Sequence, residues 1–543
     1  MTDGVVVLGG PGPAPLPAPA EEVGGKAEQL MRLARLGLPV PPAFVVPVAA
    51  CREYLKDPAA RRESLRAQLD EGVSWLEETT GLRFGSLRRP LVVSARSAAP
   101  ASMPGMLDTV LDIGLGDEVV RGLLRRTGSP RLAWDAYRRA IASFGSTVLG
   151  LPADAFEDLL DRRLAARSAT GPTELGSDEL AALTRDSLDL FRDLAGEPYP
   201  QDPREQLERA ADAVFRSFVG ERARSYRRMR GLEHLQGTSV IVQQMVFGNS
   251  GPRSGSGVMF TRDPSTGERT LYLDFLFDAQ GEDVVAGRRP VSGATDLAAV
   301  LPAVSGELER VARLLERELG DMQDIELTVE DGRLYLLQTR AGKRTRWAAL
   351  RIAVDLVEEG VLSPEAAHER LAALDLETIR RTRLATPAEP VAKGVPAGLG
   401  VAAGRAVFDS RRAEELAAVG EPVVLVREAI ETDDLAGMAA AEGVLTATGG
   451  RTSHAAVVAR ELGRVCLVGC RELAIDPESR GAILAGHPLA EGDLLAIDGE
   501  LGEVYLGPCE VVEERPDALL AKVRSWGESR LVGSVDRRAS TSS

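Results

Sequence analysis

The stretch GGRTSHAAVVAREL, Gly449 to Leu462, sets one of only four histidines in 543 residues behind a paired-glycine turn and at the head of a helical run. Thr452 and Ser453 offer capping hydroxyls, which puts the imidazole of His454 in the first helical turn. Free amide N–H groups and the positive end of the helix dipole favour an anion there. The same field disfavours an imidazolium and keeps the ring neutral and nucleophilic. A neutral ring attacks phosphorus, and the helix amides then stabilise the phosphoryl group it gains. Gly449 and Gly450 let the backbone approach closely, and the small Ala455 and Ala456 leave the face open. On chemistry alone, a capping or core histidine is the plainer alternative.

Around that motif lies a chain too long for one core, so roughly two to four domains are expected. It is 44% hydrophobic and 27% charged, the balance of a globular protein. No apolar run approaches the ~20 residues of a membrane span. The N-terminus lacks a basic-then-apolar leader, so a cytoplasmic location and no membrane partner are expected. A net charge of −16 argues against a nucleic-acid partner and calls for local positive pockets wherever anions bind. Cys51, Cys466, Cys470 and Cys509 are too few and scattered for a disulfide framework. Cys466 and Cys470 sit in the strand-like RVCLVGC and read as buried structural thiols. Arginine far outnumbers lysine, which makes Lys26, inside a glycine turn, less easily dismissed as filler.

Residues 1–20 read as a flexible Pro/Ala-rich N-terminus and 21–345 as an α+β domain. EQLMRLARLGLPVPPAFVV gives a helix stopped by Gly37, then a Pro-bounded strand. PLVVSARSAA reads as a buried strand, and about 117–223 as mainly helical. TSVIVQQMVFG is a strand before the loop NSGPRSGSG, and Asp331-Gly332 makes a hairpin turn. Residues 346–390 read as a helical connector and linker, the linker being the proline- and glycine-rich LATPAEPVAKGVPAGLG. Residues 391–510 form a second domain of short strands around the His454 helix, and 511–543 a tail, partly helical, ending in RRASTSS.

Two walls of opposite charge emerge between residues 24 and 340. Gly24-Gly25-Lys26 sets an ammonium beside flexible backbone, suited to a polyphosphate oxygen, although short GGK strings are common. Arg96 projects from the end of LVVSAR, and NSGPRSGSG offers backbone amides to phosphates or is a plain loop. Against these stand Glu282, Asp324 and Glu326, which suit Mg²⁺ bridging phosphates. Asp324 and Glu326 share a strand face by period two, as do Gln338 and Arg340 on the next strand. Exposed sheet faces explain each singly; together they are what nucleotide–Mg²⁺ needs.

Taken together, GGK…GLPVPPAF, VVSARSAAPASMPGMLDTVLDIGL, RLAWDAYRRAIASFG, VQQMVFGNSGPRSGSGVMFTRDPSTGE, DAQGEDVVAGRRP, MQDIELTVEDGRLYLLQTRAGKRT and GVLTATGGRTSHAAVVARELG closely resemble the pyruvate, phosphate dikinase family, from about Glu21 to Gly507. The resemblance implies an α+β and α/β multidomain chain: an ATP-grasp nucleotide-binding domain, a helical connector and a swivelling β/β/α phosphohistidine domain. It implies that ATP, with inorganic phosphate, gives its β-phosphoryl group to His454, releasing AMP and pyrophosphate. Lys26, Arg96 and Arg340 then match the phosphate ligands. Asp324, Glu326 and Gln338 match the Mg²⁺ groups, with Glu282 as a supporting acid, and Gln243 and Met245 lie on the strand that faces adenine. Arg138 and Arg139 are implied holders of inorganic phosphate.

Departures from the family pattern are Ala27 for a glycine, Pro100 for an arginine and Arg451 for a methionine. The family's (β/α)8 barrel for pyruvate and phosphoenolpyruvate has no counterpart in the sequence, so the expected phosphoryl acceptor is a barrel on another polypeptide. Two alternatives stay open: a small-molecule dikinase of the rifampin phosphotransferase type, and a non-catalytic ATP-binding regulator.

Overall fold

Ala43–Val46 and Ser239–Gln244 are runs of β-branched and apolar residues, buried along almost their whole length, and they pair as neighbouring antiparallel strands. They sit inside a five-stranded sheet in the order Val6–Leu8, Ala43–Val46, Ser239–Gln244, Val93–Ala98, Thr109–Ile113. A computed structural model describes residues 4–10, 16–101, 103, 109–169, 171–286, 291–386, 389–450, 453–476 and 481–526, with only the backbone described for Val285, Ala286, Thr432, His454 and Glu461. Residues 11–15 of the Pro/Ala stretch, Arg451, Thr452 and the RRASTSS tail lie outside the described residues.

By compactness the chain divides into two units. The first comprises residues 1–256, 277–280 and 326–339. Its core forms where Phe44, Val93, Ala95, Val240 and Val242 of the sheet meet the helices Pro58–Thr80, Pro130–Val148 and Pro203–Val219. Leu65, Leu69, Val73 and Leu76 recur at helical spacing and supply the buried stripe of the first of these helices. Each of the three helices opens with proline at its first position behind an Asp or Ser cap whose side chain accepts an amide hydrogen bond.

A four-stranded sheet, ordered Arg333–Ala341, Gln323–Glu330, Gly255–Phe260, Tyr272–Phe277, has residues in both units. The hairpin expected at Asp331-Gly332 is present, and both residues take positive φ, 50° and 79°. The turn amides are occupied: Asp331 N–H donates to Ser254 Oγ at 2.9 Å and Gly332 N–H to Arg253 C=O at 2.8 Å. The loop NSGPRSGSG is thus tied to the hairpin turn.

The second unit contains an eight-stranded sheet. Its order is Ala392–Lys393, Glu503–Leu506, Leu494–Asp498, Val401–Val407, Val423–Arg427, Gly443–Thr446, Val465–Val468, Val395–Gly398. The four strands from Val401–Val407 to Val465–Val468 in that order run parallel to one another, and the other pairings are antiparallel. Two strands of this sheet, and the strand Arg381–Leu384, fall within or beside the segment read as an irregular linker. Proline and glycine misled the reading because the strands are short and lie at the sheet's edges, where Pro396 costs no ladder bond.

The segment read as a tail also has structure. Val511–Glu514 pairs antiparallel with Arg381–Leu384, and a helix over 517–526 follows. Leu520 and Val523 join Trp347, Leu350, Val354, Ala367 and Leu371 in one small core. The Arg381 guanidinium lies 4.3 Å from the centre of the Trp347 ring and pairs with Glu500 and Glu514. The connector helices Arg346–Glu358 and Pro364–Leu371 are therefore closed from below by residues more than 130 positions later, a contact no local pattern announces.

Candidate functional site

In the first unit, Lys26 is the second residue of the helix Gly25–Arg35, and Gly24 caps it at φ 82°. A Cβ at Gly24 would lie 1.8 Å from the Ala98 carbonyl oxygen, so only glycine lets this turn press onto the strand Val93–Ala98. Gly25 N–H donates to Ala99 C=O at 3.0 Å, and the buried Ser239 hydroxyl lies within bonding reach of both Val23 C=O and Ala98 C=O. The Lys26 turn and the Arg96 strand are thereby fixed to each other. Ser239 was missed from sequence because a serine opening a β-branched run carries no signal of its own. Ala27 is fully buried within the helix, where alanine is favoured over glycine by about 1 kcal/mol. Gly24→Ala is expected to destabilise the fold by about 2 kcal/mol or more, from backbone strain and the clash with Ala98, as read by chemical denaturation.

Arg96 donates to Glu326 Oε2 at 3.3 Å, to Leu337 C=O at 3.2 Å and to Gln243 Oε1 at 3.5 Å. Gln243 is buried and also donates to Pro41 C=O at 3.1 Å. Met245 packs against the core beside it. Gln338 is buried on the strand Arg333–Ala341. Further along the acidic strand, burial pushes the Glu330 carboxyl up to about 7 against the pull of Arg126.

In the second unit, Arg340 Nε donates to Asp324 Oδ2 at 2.8 Å, with Asp324 buried and Arg340 half-exposed. Glu282 lies exposed in the first turn of the short helix Gly281–Ala286. Among the described residues no group of three or more His, Cys, Asp or Glu side chains is gathered as a metal centre.

Arg138 and Arg139 are buried in the helix Pro130–Val148 and both bind Asp135, at 2.8 Å each. Burial alone would raise the Asp135 carboxyl, but the Arg139 and Arg138 guanidiniums outweigh it and hold it far below the carboxylate range. Asn249 Nδ2 donates to the same carboxylate at 3.1 Å. These two arginines are thus directed inward onto a carboxylate, as parts of an internal ion cluster. The thiols of Cys51, Cys466 and Cys470 are buried, which pushes the first two up to about 12 and the third to about 11. Cys509 is half-buried.

His454 is the first residue of the helix His454–Leu462, and Ser453 is its cap, accepting from Ala456 N–H. The histidine side chain lies outside the described residues. The helix follows the carboxyl end of the parallel strand Gly443–Thr446, the side of a parallel sheet on which ligands are generally bound. Gly449 needs its freedom at φ 104°, whereas Gly450 has no positive φ. Ala455 and Ala456 are buried against Val444, Cys466 and Val468, so small side chains let the helix lie close on the sheet and do not leave an open face. The preceding loop is braced by Thr448, whose N–H and hydroxyl both donate to Glu428 C=O, at 2.9 and 2.8 Å. No helix among the described residues is long and apolar enough to cross a membrane.

Comparison with known proteins identifies two domain families in the chain. Residues 61–295 match the family described as pyruvate phosphate dikinase, AMP/ATP-binding domain, and residues 419–502 that described as PEP-utilising enzyme, mobile domain. The chain is 42% identical over 511 residues to pyruvate, phosphate dikinase of Clostridium symbiosum, covering 93% of this chain and 58% of that protein. It is 41% identical over 535 residues to the Rhizobium meliloti (strain 1021) enzyme, covering 96% and 60%. It is 42% identical over 510 residues to pyruvate, phosphate dikinase 2 of Zea mays, covering 93% and 58%. The chain thus spans about three fifths of the length of these relatives.

Proposed function

Since the chain belongs to the pyruvate, phosphate dikinase family, we propose that it carries out the ATP half-reaction of such an enzyme, phosphorylating its own His454. ATP and inorganic phosphate are the substrates. The β-phosphoryl group passes to the histidine ring, the γ-phosphoryl group to inorganic phosphate, and AMP and pyrophosphate leave. The observation that carries this reading is one chain holding both a nucleotide-domain match and, inside the mobile-domain match, a helix that begins at its histidine.

In this reading the first module is an ATP-grasp domain and the second a swivelling carrier. Lys26 supplies a point charge to the polyphosphate, while Arg96 and Arg340 offer forked donors. Arg96 and Arg340 rest on Glu326 and Asp324. Phosphate oxygens replacing these carboxylates would free them for another cation. Asp324, Glu326 and the Gln338 amide are hard oxygen donors that would hold Mg²⁺. The ion, when bound, neutralises charge on the transferred group. Gln243 and Met245 orient the base, and Glu282 supports the acidic wall. A neutral His454 accepts the phosphoryl group through a ring lone pair, and the helix-start amides stabilise the product.

Pyruvate is the proposed final acceptor. The relatives are single-chain enzymes and lend no support to a separate acceptor protein. Adding pyruvate alone to the phosphorylated chain separates the cases: loss of label shows acceptance by this chain, retention points to a second polypeptide.

The half-reaction is tested with Mg²⁺, phosphate and ATP labelled separately at the β and γ positions. Acid-labile protein label from the β position only, with AMP released, is the expected result. Label from the γ position with ADP released would make this an ordinary kinase and overturn the reading.

A further inference from the structure

Within a chain of net charge −16, the helix Glu221–Arg230 carries Arg222, Arg224, Arg227, Arg228 and Arg230 against the single Glu221. Four of these arginines are exposed; Arg227 is the exception. Its guanidinium lies 4.0 Å from the centre of the Phe218 ring and donates to Phe218 C=O at 2.6 Å, which anchors the helix. Elsewhere in the chain, arginines commonly rest on carboxylates, as Arg62, Arg96, Arg262 and Arg340 do. Among the described residues Arg224 and Arg228 have no carboxylate partner. They stand four apart, so they repel each other on one face of the helix, an arrangement that weakens it.

The position of this charge gives it a use. Ala223 is fully buried and packs with Ala99 and Met103, with Tyr226 alongside. Ala99 is also the residue whose carbonyl accepts the Gly25 amide at the Lys26 turn. One residue therefore touches both the basic helix and the turn assigned to phosphate binding, and Ala99 follows Arg96 by three positions along the same chain segment.

We infer that the exposed face of Glu221–Arg230, centred on Arg224 and Arg228, is an approach surface that draws polyphosphate anions toward the neighbouring nucleotide site through long-range attraction. It rests on the nucleotide-site reading above. A strongly acidic protein repels ATP on average, and a local basic face beside the site reverses that field where the ligand arrives. Such steering raises the association rate and leaves the dissociation rate nearly alone. It fades as salt shortens the Debye length from about 30 Å at 0.01 M to about 8 Å at 0.15 M.

The test is stopped-flow binding of a fluorescent ATP analogue with Mg²⁺ to the full chain, compared with Arg224→Glu/Arg228→Glu. The association rate of the double variant is expected to fall about tenfold at low ionic strength, with dissociation changed less than twofold and the difference closing as salt rises. Arg224→Gln/Arg228→Gln should fall between, and serves if charge reversal perturbs folding. An unchanged association rate at low salt would overturn the inference. So would faster dissociation at unchanged association, which would make the arginines direct ligands. The site reading is checked separately with Arg96→Ala: no binding by the wild-type chain overturns both ideas, and binding indifferent to Arg96→Ala removes the nucleotide site from beside this helix.

Discussion

His454→Ala is expected to reduce the acid-labile label from ATP to background, a loss of at least about a thousandfold, because a phosphoester on the neighbouring Thr452 or Ser453 is acid-stable and no other imidazole stands at that helix start. The fold should survive. Alanine is the best helix former, Ser453 remains to cap the helix, and the helix packs on the sheet through Ala455, Ala456 and Ala459. Nucleotide binding should survive too, since Lys26 and Arg96 belong to the other compact unit. The informative result is therefore a split: no protein label, with nucleotide affinity and melting temperature unchanged. Label persisting on the variant would relocate the acceptor and remove the basis for the proposed half-reaction.

Arg262→Met should have the largest effect on stability. Arg262 is fully buried and is held by Glu316, Asp355 and Glu359 at 2.9, 3.4 and 3.0 Å. Glu316 is itself buried and accepts a further bond from Thr261. Methionine fills much of the volume but takes the guanidinium from Glu316, and leaves Asp355 and Glu359 with only the more distant Arg351 and Arg269, at 3.8 and 3.5 Å. Breaking a buried pair in this way costs about 3–5 kcal/mol. The loss should depend on pH. Burial already raises the Asp355 carboxyl above its ordinary value, with Arg262 pulling it back. Without the arginine the Asp355 carboxyl rises further. An acid whose folded pKa lies above its unfolded one favours folding below the unfolded value and loses that advantage as pH rises through the folded value. The variant should thus be nearer to wild type at pH 5 than at pH 8 in urea denaturation. An equal deficit at both pH values would mean that packing, not charge, is what the residue supplies.

The candidate site was legible where a residue type has few uses. A histidine behind Gly449 in a histidine-poor chain, a lysine after Gly24-Gly25 and alternating acids at Asp324 and Glu326 each stand out against their surroundings. Long periodic helices and buried strands were legible too, because period and burial are local properties. What stayed hidden depends on contacts that residue type and spacing do not announce, several of them with partners far away in sequence. Ser239 matters through carbonyls at Val23 and Ala98. Arg138 and Arg139 look like free cations until Asp135, on their own helix, is seen to take both. Ala455 and Ala456 suggested openness, while the sheet beneath them made them contact residues. The proline-rich stretch 384–400 read as irregular because short edge strands have no period long enough to recognise.

The pairing of Arg381–Leu384 with Val511–Glu514 has a topological meaning for everything between. The backbone leaves the connector at one point and returns to the same point, so residues 385–510 are an insertion threaded into a smaller parent fold. Closing such a loop of roughly 130 residues costs only slightly more entropy than closing one half as long, since the dependence on length is logarithmic. The parent fold can therefore carry a large guest at little expense, and the two adjoining strands act as its stem. A single backbone cut at either side of that stem would leave the guest attached by the other.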